Sequence, residues 1–101
     1  MRVIFNSLFK RDFLDEETRY REISPRLGEE FRNRVEEATR AVIRWEGGGH
    51  VGPHGFPCRK CRPFPFLVYY VIEGNTLYFL ALVHERRHPD YLKRKMTGDD
   101  R

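Results

Sequence analysis

Apolar and polar positions alternate with two different periods in the first half of the chain. A short segment from Arg2 to Asn6 is rich in β-branched and aromatic residues, which predicts a strand ended by a capping pair, Asn-Ser. From about Leu8 to Ile23, Phe9, Phe13 and Tyr20 fall on one side while acids and bases occupy the other. This spacing predicts a helix with one buried and one solvated face.

The second helix has the clearest periodicity in the chain. It is predicted to start at Ser24-Pro25, because proline needs no amide donor in a first turn. Its apolar residues are spaced alternately four and three apart: Phe31, Val35, Ala38, Val42 and Trp45. Three glycines from Gly47 to Gly49 end this helix and open a flexible loop that runs to Pro57.

Three strands are predicted after the loop, at about Cys58 to Arg62, Phe66 to Glu73 and Thr76 to Glu85. The last two are joined by Gly74-Asn75, a pair that permits the positive φ angles of a tight hairpin. The third strand is apolar at nearly every position, which is typical of a central strand covered on both faces. A short helix is predicted from Pro89 to Lys95. The fold class is therefore α+β, with a strand, a helical hairpin and a three-stranded antiparallel meander.

Composition supports one globular domain over residues 1–101, because 40% of the residues are hydrophobic and 34% are charged. The net charge is +4, and the surplus of basic residues lies in the second half. Such a surface favours a phosphate-bearing or acidic partner, although it also serves solubility alone. No apolar run is long enough for a signal peptide or membrane span, so we expect a cytoplasmic protein without membrane contact. In that reducing compartment the two cysteines are expected to be free thiols.

Three segments resemble the RelE/ParE superfamily of toxins. The segment Leu27–Phe31, Leu-Gly-Glu-Glu-Phe, is similar to the opening of the family's second helix. Phe64 to Gly74 resembles the family's Phe-Pro-Tyr strand and hairpin, and His84 to Tyr91 resembles its His-x-Arg-Arg-x-Pro-x-Tyr ending. The likeness covers nearly the whole chain except the loop from Gly47 to Pro57. It implies that the sheet packs on the helical hairpin.

The resemblance implies the toxin of a type II toxin–antitoxin system, neutralised by a cognate antitoxin. RelE-like members cleave messenger RNA on the ribosome, whereas ParE-like members poison DNA gyrase, and the fold does not distinguish them. In RelE-like ribonucleases an arginine precedes the hairpin, and Phe66 stands at that place here. This difference favours a gyrase poison or an inactive partner-binding protein. We expect ribosome-dependent cleavage first, with those two as alternatives, and no cofactor.

Metal-independent RNA cleavage needs a base for the 2′-hydroxyl, cations for the crowded phosphate and an acid for the leaving oxygen. The sequence offers a candidate catalytic set: Lys60, Arg62, His84, Arg86 and Tyr91. Strand periodicity places Lys60 and Arg62 on one face and Cys61 on the other, and His84 and Arg86 share a parity while the chain stays extended. Five further residues are candidate nucleic-acid contacts: Arg59, Arg87, His88, Lys93 and Arg94. Each alone is also consistent with a solvated cation or a structural residue.

A possible zinc motif overlaps the first strand of the meander. His50, His54, Cys58 and Cys61 have a spacing that resembles a zinc ligand set. However, residues three apart on a strand point to opposite faces, so a strand here would separate the two thiols. We therefore expect no stoichiometric zinc.

Overall fold

The elements follow the predicted α+β order. The structure, a computed structural model, describes residues 1–45, 50–51 and 55–87. Its strands and helices are β1 (Arg2–Phe5), α1 (Ser7–Ile23), α2 (Pro25–Arg44), β2 (His50–Val51), β3 (Pro57–Lys60), β4 (Phe66–Glu73) and β5 (Thr76–His84). One sheet packs on the helical hairpin, as the sequence led us to expect.

The five strands form a single sheet in the order β1-β5-β4-β3-β2. β1 pairs with β5 in parallel, and the remaining neighbours are antiparallel. β5 therefore lies inside the sheet, as its continuous apolar sequence predicts. The hairpin between β4 and β5 turns at Gly74, which has φ +60°.

Some elements differ in detail from the sequence prediction. Within the segment predicted as a loop, His50 and Val51 form a two-residue strand that pairs with β3. β3 itself ends at Lys60 rather than Arg62, because a turn begins at Arg62. β5 ends at His84, one residue before the predicted Glu85. The helix predicted from Pro89 to Lys95 lies outside the described residues.

Local sequence explains why two helices form a tight hairpin. Ser24 caps α2 by accepting a hydrogen bond from the Leu27 amide at 3.4 Å, and Pro25 fills the first turn. Gly28 lies against α1 so closely that an added Cβ would be 2.8 Å from the Cβ of Arg21. Glycine is therefore needed for the approach of the two helices. Neither helix in the described part of the chain is long and apolar enough to cross a membrane.

A charged cluster ties the two helices together. Glu17 is 7% exposed, and its Oε2 accepts hydrogen bonds from Arg32 at 2.7 Å and Arg21 at 3.2 Å. The guanidinium of Arg32 also lies 5.4 Å from the ring centre of Phe13. The hydrogen bond from Arg32 lowers the pKa of Glu17, and this effect exceeds the opposing effect of burial. The Glu17 carboxylate is thus held in its ionised form.

Aromatic side chains fill the space between the helices and the sheet. Phe31 is fully buried, and its ring centre lies 4.9 Å from that of Tyr20, 5.2 Å from Phe64 and 5.5 Å from Phe66. A second, smaller cluster occupies the other face of the sheet: Cys58, Leu67, Tyr69, Ala81 and Val83. Both faces of β4 and β5 are therefore covered.

A bulge in β5 decides which side chains face the helices. Tyr70 pairs with Phe79, but its neighbour Tyr69 pairs with Ala81, so Leu80 has no opposite residue in β4. The extra residue shifts the alternation of side chains along β5 by one position. Leu82 consequently joins Phe79 in the helix-side core.

Candidate functional site

The predicted basic residues lie at one end of the sheet. β3 and β5 are both antiparallel to β4, so they run in the same direction and end at the same edge. The Cys61 amide donates to the Phe66 carbonyl at 3.0 Å, and the Glu85 amide donates to the Pro65 carbonyl at 2.9 Å. Both strand ends are thereby fixed beside the start of β4. With strands about 4.8 Å apart, their backbones are separated by roughly 10 Å.

The first cleft, here termed the α2–β3 cleft, has a volume of about 430 Å³. Its walls carry four cations, one acid and two alanines: Arg34, Arg59, Lys60, Arg62, Glu37, Ala38 and Ala41. Arg34 donates to Glu37 at 3.2 Å. The three cations of and after β3 make no ion pair with an acid among the described residues.

The second cleft, here termed the α1–β5 cleft, has a volume of about 440 Å³. Its charged and titratable residues come from both sides: Asp12, Asp15, Glu16, Arg19, His84, Arg86 and Arg87. Asp12 accepts a hydrogen bond from the Leu82 amide at 3.4 Å, which links α1 to the end of β5. The Glu16 Oε1 lies 3.7 Å from the Arg19 Nε. This cleft is lined by three acids, whereas the first is lined by one.

His84 is oriented by contacts on two sides. Its ring meets Phe66 edge-on at 5.3 Å, and its Nδ1 accepts a hydrogen bond from the Arg86 amide at 3.1 Å. The Arg87 amide donates to the His84 carbonyl at 3.0 Å, which turns the chain immediately after β5. With Nδ1 as an acceptor, the neutral imidazole carries its proton on Nε2. To give up the Nε2 proton as an acid, the ring must first gain a proton on Nδ1, which replaces the hydrogen bond from the Arg86 amide.

The structure divides the four cationic and histidine candidates between the two clefts. Lys60 pairs with Leu67, whose side chain lies on the face away from the helices, and Arg62 follows in the turn. His84 instead pairs with Phe66 on the helix side, because the bulge changes the parity of β5. Although the Lys60 side chain leaves the sheet on the other face, Lys60 and Arg62 border the α2–β3 cleft, whereas His84 and Arg86 line the α1–β5 cleft.

The candidate nucleic-acid contacts divide in the same way. Arg59 lines the α2–β3 cleft, and Arg87 lines the α1–β5 cleft. Four other candidates lie outside the described residues: His88, Tyr91, Lys93 and Arg94. The predicted site residues that the structure describes are therefore cations and one histidine.

The two cysteines face opposite sides of the sheet. Cys61 belongs to the helix-side core and Cys58 to the cluster on the other face, as strand periodicity predicts. Burial raises the pKa of the Cys61 thiol to about 12. His54 lies outside the described residues, and only the backbone of His50 is described. Among the described residues no group of three metal-binding side chains comes together.

Sequence reasoning missed two contributions to these clefts. Arg34 brings a cation from α2, and Glu37, Ala38 and Ala41 follow it on the same helical face. The sequence signal for this wall was Arg34 followed by small residues four and seven positions later, Ala38 and Ala41, which share one face of a helix. The acids of α1 in the second cleft had no comparable signal, because they look like an ordinary solvated helix face.

Phe66 is a core residue. It is 4% exposed and contacts the rings of Tyr20 and Phe31 as well as His84. A charged side chain at this position would enter an aromatic environment on the helix side. Phe66 therefore cannot take the part that an arginine at this position has in RelE-like ribonucleases.

Comparison with known proteins adds no family assignment. No protein-family model matches the chain, and no curated protein matches it significantly.

Proposed function

We propose that this protein is the toxin of a type II toxin–antitoxin system and inhibits growth by ribosome-dependent cleavage of messenger RNA. The observation that carries the proposal is the convergence of basic side chains at the two strand ends that flank β4. The similarity of the motifs to RelE/ParE toxins supplies the biological context.

The two strand ends have different parts in the proposed reaction. Lys60 and Arg62 hold the phosphate backbone, since neither is neutralised by a described acid. Arg86 stabilises the charge that develops on the phosphate as the 2′-oxygen attacks phosphorus. Once it is protonated on both ring nitrogens, His84 donates its Nε2 proton to the departing 5′-oxygen, and the carboxylate of Asp15 in the same cleft accepts the proton of the attacking 2′-hydroxyl. The products are a cyclic phosphate and a free 5′-hydroxyl.

An antitoxin is the proposed regulatory partner. Several large apolar side chains of the helices remain exposed, including Leu14 at 53% and Trp45 at 64%. Exposed apolar residues on a small domain are frequently covered by a binding partner. The basic residues would also attract an acidic segment, which is the usual character of antitoxin tails in the RelE/ParE superfamily.

A non-enzymatic poison of DNA gyrase is the second candidate. It is favoured by one observation, the burial of Phe66 at the position where RelE-like ribonucleases have an arginine. In that case the basic residues would bind a protein or DNA surface without cleaving a bond.

One experiment distinguishes these functions. The protein is induced in cells, transcript ends are mapped, and gyrase supercoiling is assayed in extracts of the same cells. Cuts within translated codons are expected for the proposed ribonuclease. Intact transcripts with inhibited supercoiling would establish the gyrase poison instead. If growth continues and no product of an adjacent gene copurifies, the toxin–antitoxin proposal fails.

A further inference from the structure

Among the described residues, the α2–β3 cleft concentrates more positive than negative charge. Arg34, Arg59 and Arg62 face one acid, Glu37, which leaves a formal charge of about +2 by simple counting, and Lys60 borders the same cleft. Like charges brought together repel each other, and a concave surface focuses their field. Such an arrangement is suited to an anion with several charges rather than to a single carboxylate.

The positions of the cations also favour an extended anion. Arg59, Lys60 and Arg62 follow the line of β3 into the turn, and Arg34 stands across the cleft on α2. Arg59 pairs with Val68 and Lys60 with Leu67, so their side chains leave opposite faces of the strand. Arg59 therefore lies on the helix side with Arg34, and Arg62 follows in the turn, so three arginines border the cleft from two elements. Cations spread in this way follow a chain of phosphates better than they surround one compact ion.

Small side chains make the space for that chain. Ala38 and Ala41 form the α2 wall between Arg34 and the cations of β3. The ion pair from Arg34 to Glu37, at 3.2 Å, joins two residues on the same helical face that borders the cleft. Arginine in this setting presents a planar fork that matches phosphate oxygens.

We propose that the α2–β3 cleft binds the sugar-phosphate backbone of single-stranded RNA, and that Arg34 is one of its phosphate contacts. This inference rests on the proposed function, for which it defines a substrate-holding site next to the reacting phosphate. Arg34 is a binding residue in this scheme, and the α1–β5 cleft retains the proton transfer. Contacts of this type are independent of base sequence.

The test measures binding of the purified full chain to a fluorescent single-stranded RNA across a range of salt concentrations. Each lost phosphate contact should reduce the slope of log affinity against log salt by about 0.7. We expect this reduction for Arg34→Ala. The matched control is Arg40→Ala, which removes an exposed arginine from the same helix, six residues further along and therefore on a different face.

A second variant tests the cleft without changing its charge. Ala41→Leu should fill part of the space and weaken RNA binding while the salt slope stays closer to wild type. Thermal unfolding of each variant shows whether the fold is kept. Equal losses for Arg34→Ala and Arg40→Ala, with unchanged binding by Ala41→Leu, would overturn the cleft as the binding site.

The failure of this inference can be told apart from failure of the proposed function. Cleaved transcripts in cells, with RNA binding unaffected by Arg34→Ala and Ala41→Leu, would overturn the cleft and leave the ribonuclease. Cleft-dependent RNA binding with intact transcripts would support the cleft and overturn cleavage.

Discussion

The close approach of the two helices at Gly28 provides a quantitative test of the fold. In most exposed helix positions Gly→Ala stabilises by about 1 kcal/mol, because alanine restricts the unfolded chain and favours the helix. Here the new methyl group would lie 2.8 Å from the Arg21 Cβ and 2.9 Å from its Cα. These atoms are part of or next to the backbone, so a change of rotamer cannot relieve the contact.

Overpacking of this kind costs about 1–3 kcal/mol, which on average exceeds the gain in helix propensity. We therefore expect Gly28→Ala to destabilise the protein by about 1 kcal/mol. For a domain near 100 residues this lowers Tm by roughly 4–8 °C. Calorimetry or circular dichroism on heating measures the change.

The matched control is Asn33→Ala, an exposed position on the same helix, where only the gain in helix propensity applies. This variant should melt slightly above wild type. If Gly28→Ala also melts above wild type, the helices do not need the close approach seen at this position, and the reasoning is refuted.

Three further predictions concern charge and thiol chemistry. Arg86→Ala should lower RNA cleavage by about a hundredfold or more with little loss of stability, and Arg86→Lys should recover only part of the cleavage activity. Transcript mapping measures the cleavage, and thermal unfolding measures the stability. Full activity in a folded Arg86→Ala protein would exclude Arg86 from the reaction. Glu17→Gln should lower the free energy of unfolding by about 1 kcal/mol near neutral pH. The loss is small because the arginine partners of Glu17 are 45% and 49% exposed. Because folding lowers the pKa of Glu17, this stability is present above the unfolded value near 4.5 and is lost as the pH falls through the lower folded value. Urea unfolding at several pH values should show that dependence in wild type and in the exposed control Glu30→Gln, but not in Glu17→Gln. Neither Cys58 nor Cys61 should react rapidly with a thiol reagent at pH 8, because burial raises both pKa values; fast labelling of the folded protein would contradict their buried positions.

Local sequence was sufficient to predict most elements of this fold. The apolar period of α2, the capping pair Ser24-Pro25 and the turn at Gly74 each act within a few residues, so their physical consequences can be predicted without knowing the tertiary structure. The parallel pairing of β1 with β5 is different. It depends on which strand edge remains open after the hairpin forms, and no local pattern records that.

The candidate site was harder to predict because it depends on the register of β5. The residues from Leu77 to Val83 are nearly all apolar, so their sequence contains no alternation that would locate the bulge at Leu80. Without the bulge, His84 would share a face with Lys60. With it, His84 joins the helix side, and the basic residues divide between two clefts.

The parallel pairing of β1 with β5 also has a consequence for folding. Arg2 pairs with Thr76 and Phe5 with Phe79, so each contact closes a chain segment of more than seventy residues. Contacts of this range carry a large loop-closure cost and slow the search for the native state. During synthesis, β1 has no partner in the sheet until β5 has emerged. The helical hairpin can form early, but the nascent chain must remain without its completed core until nearly all described residues have been made.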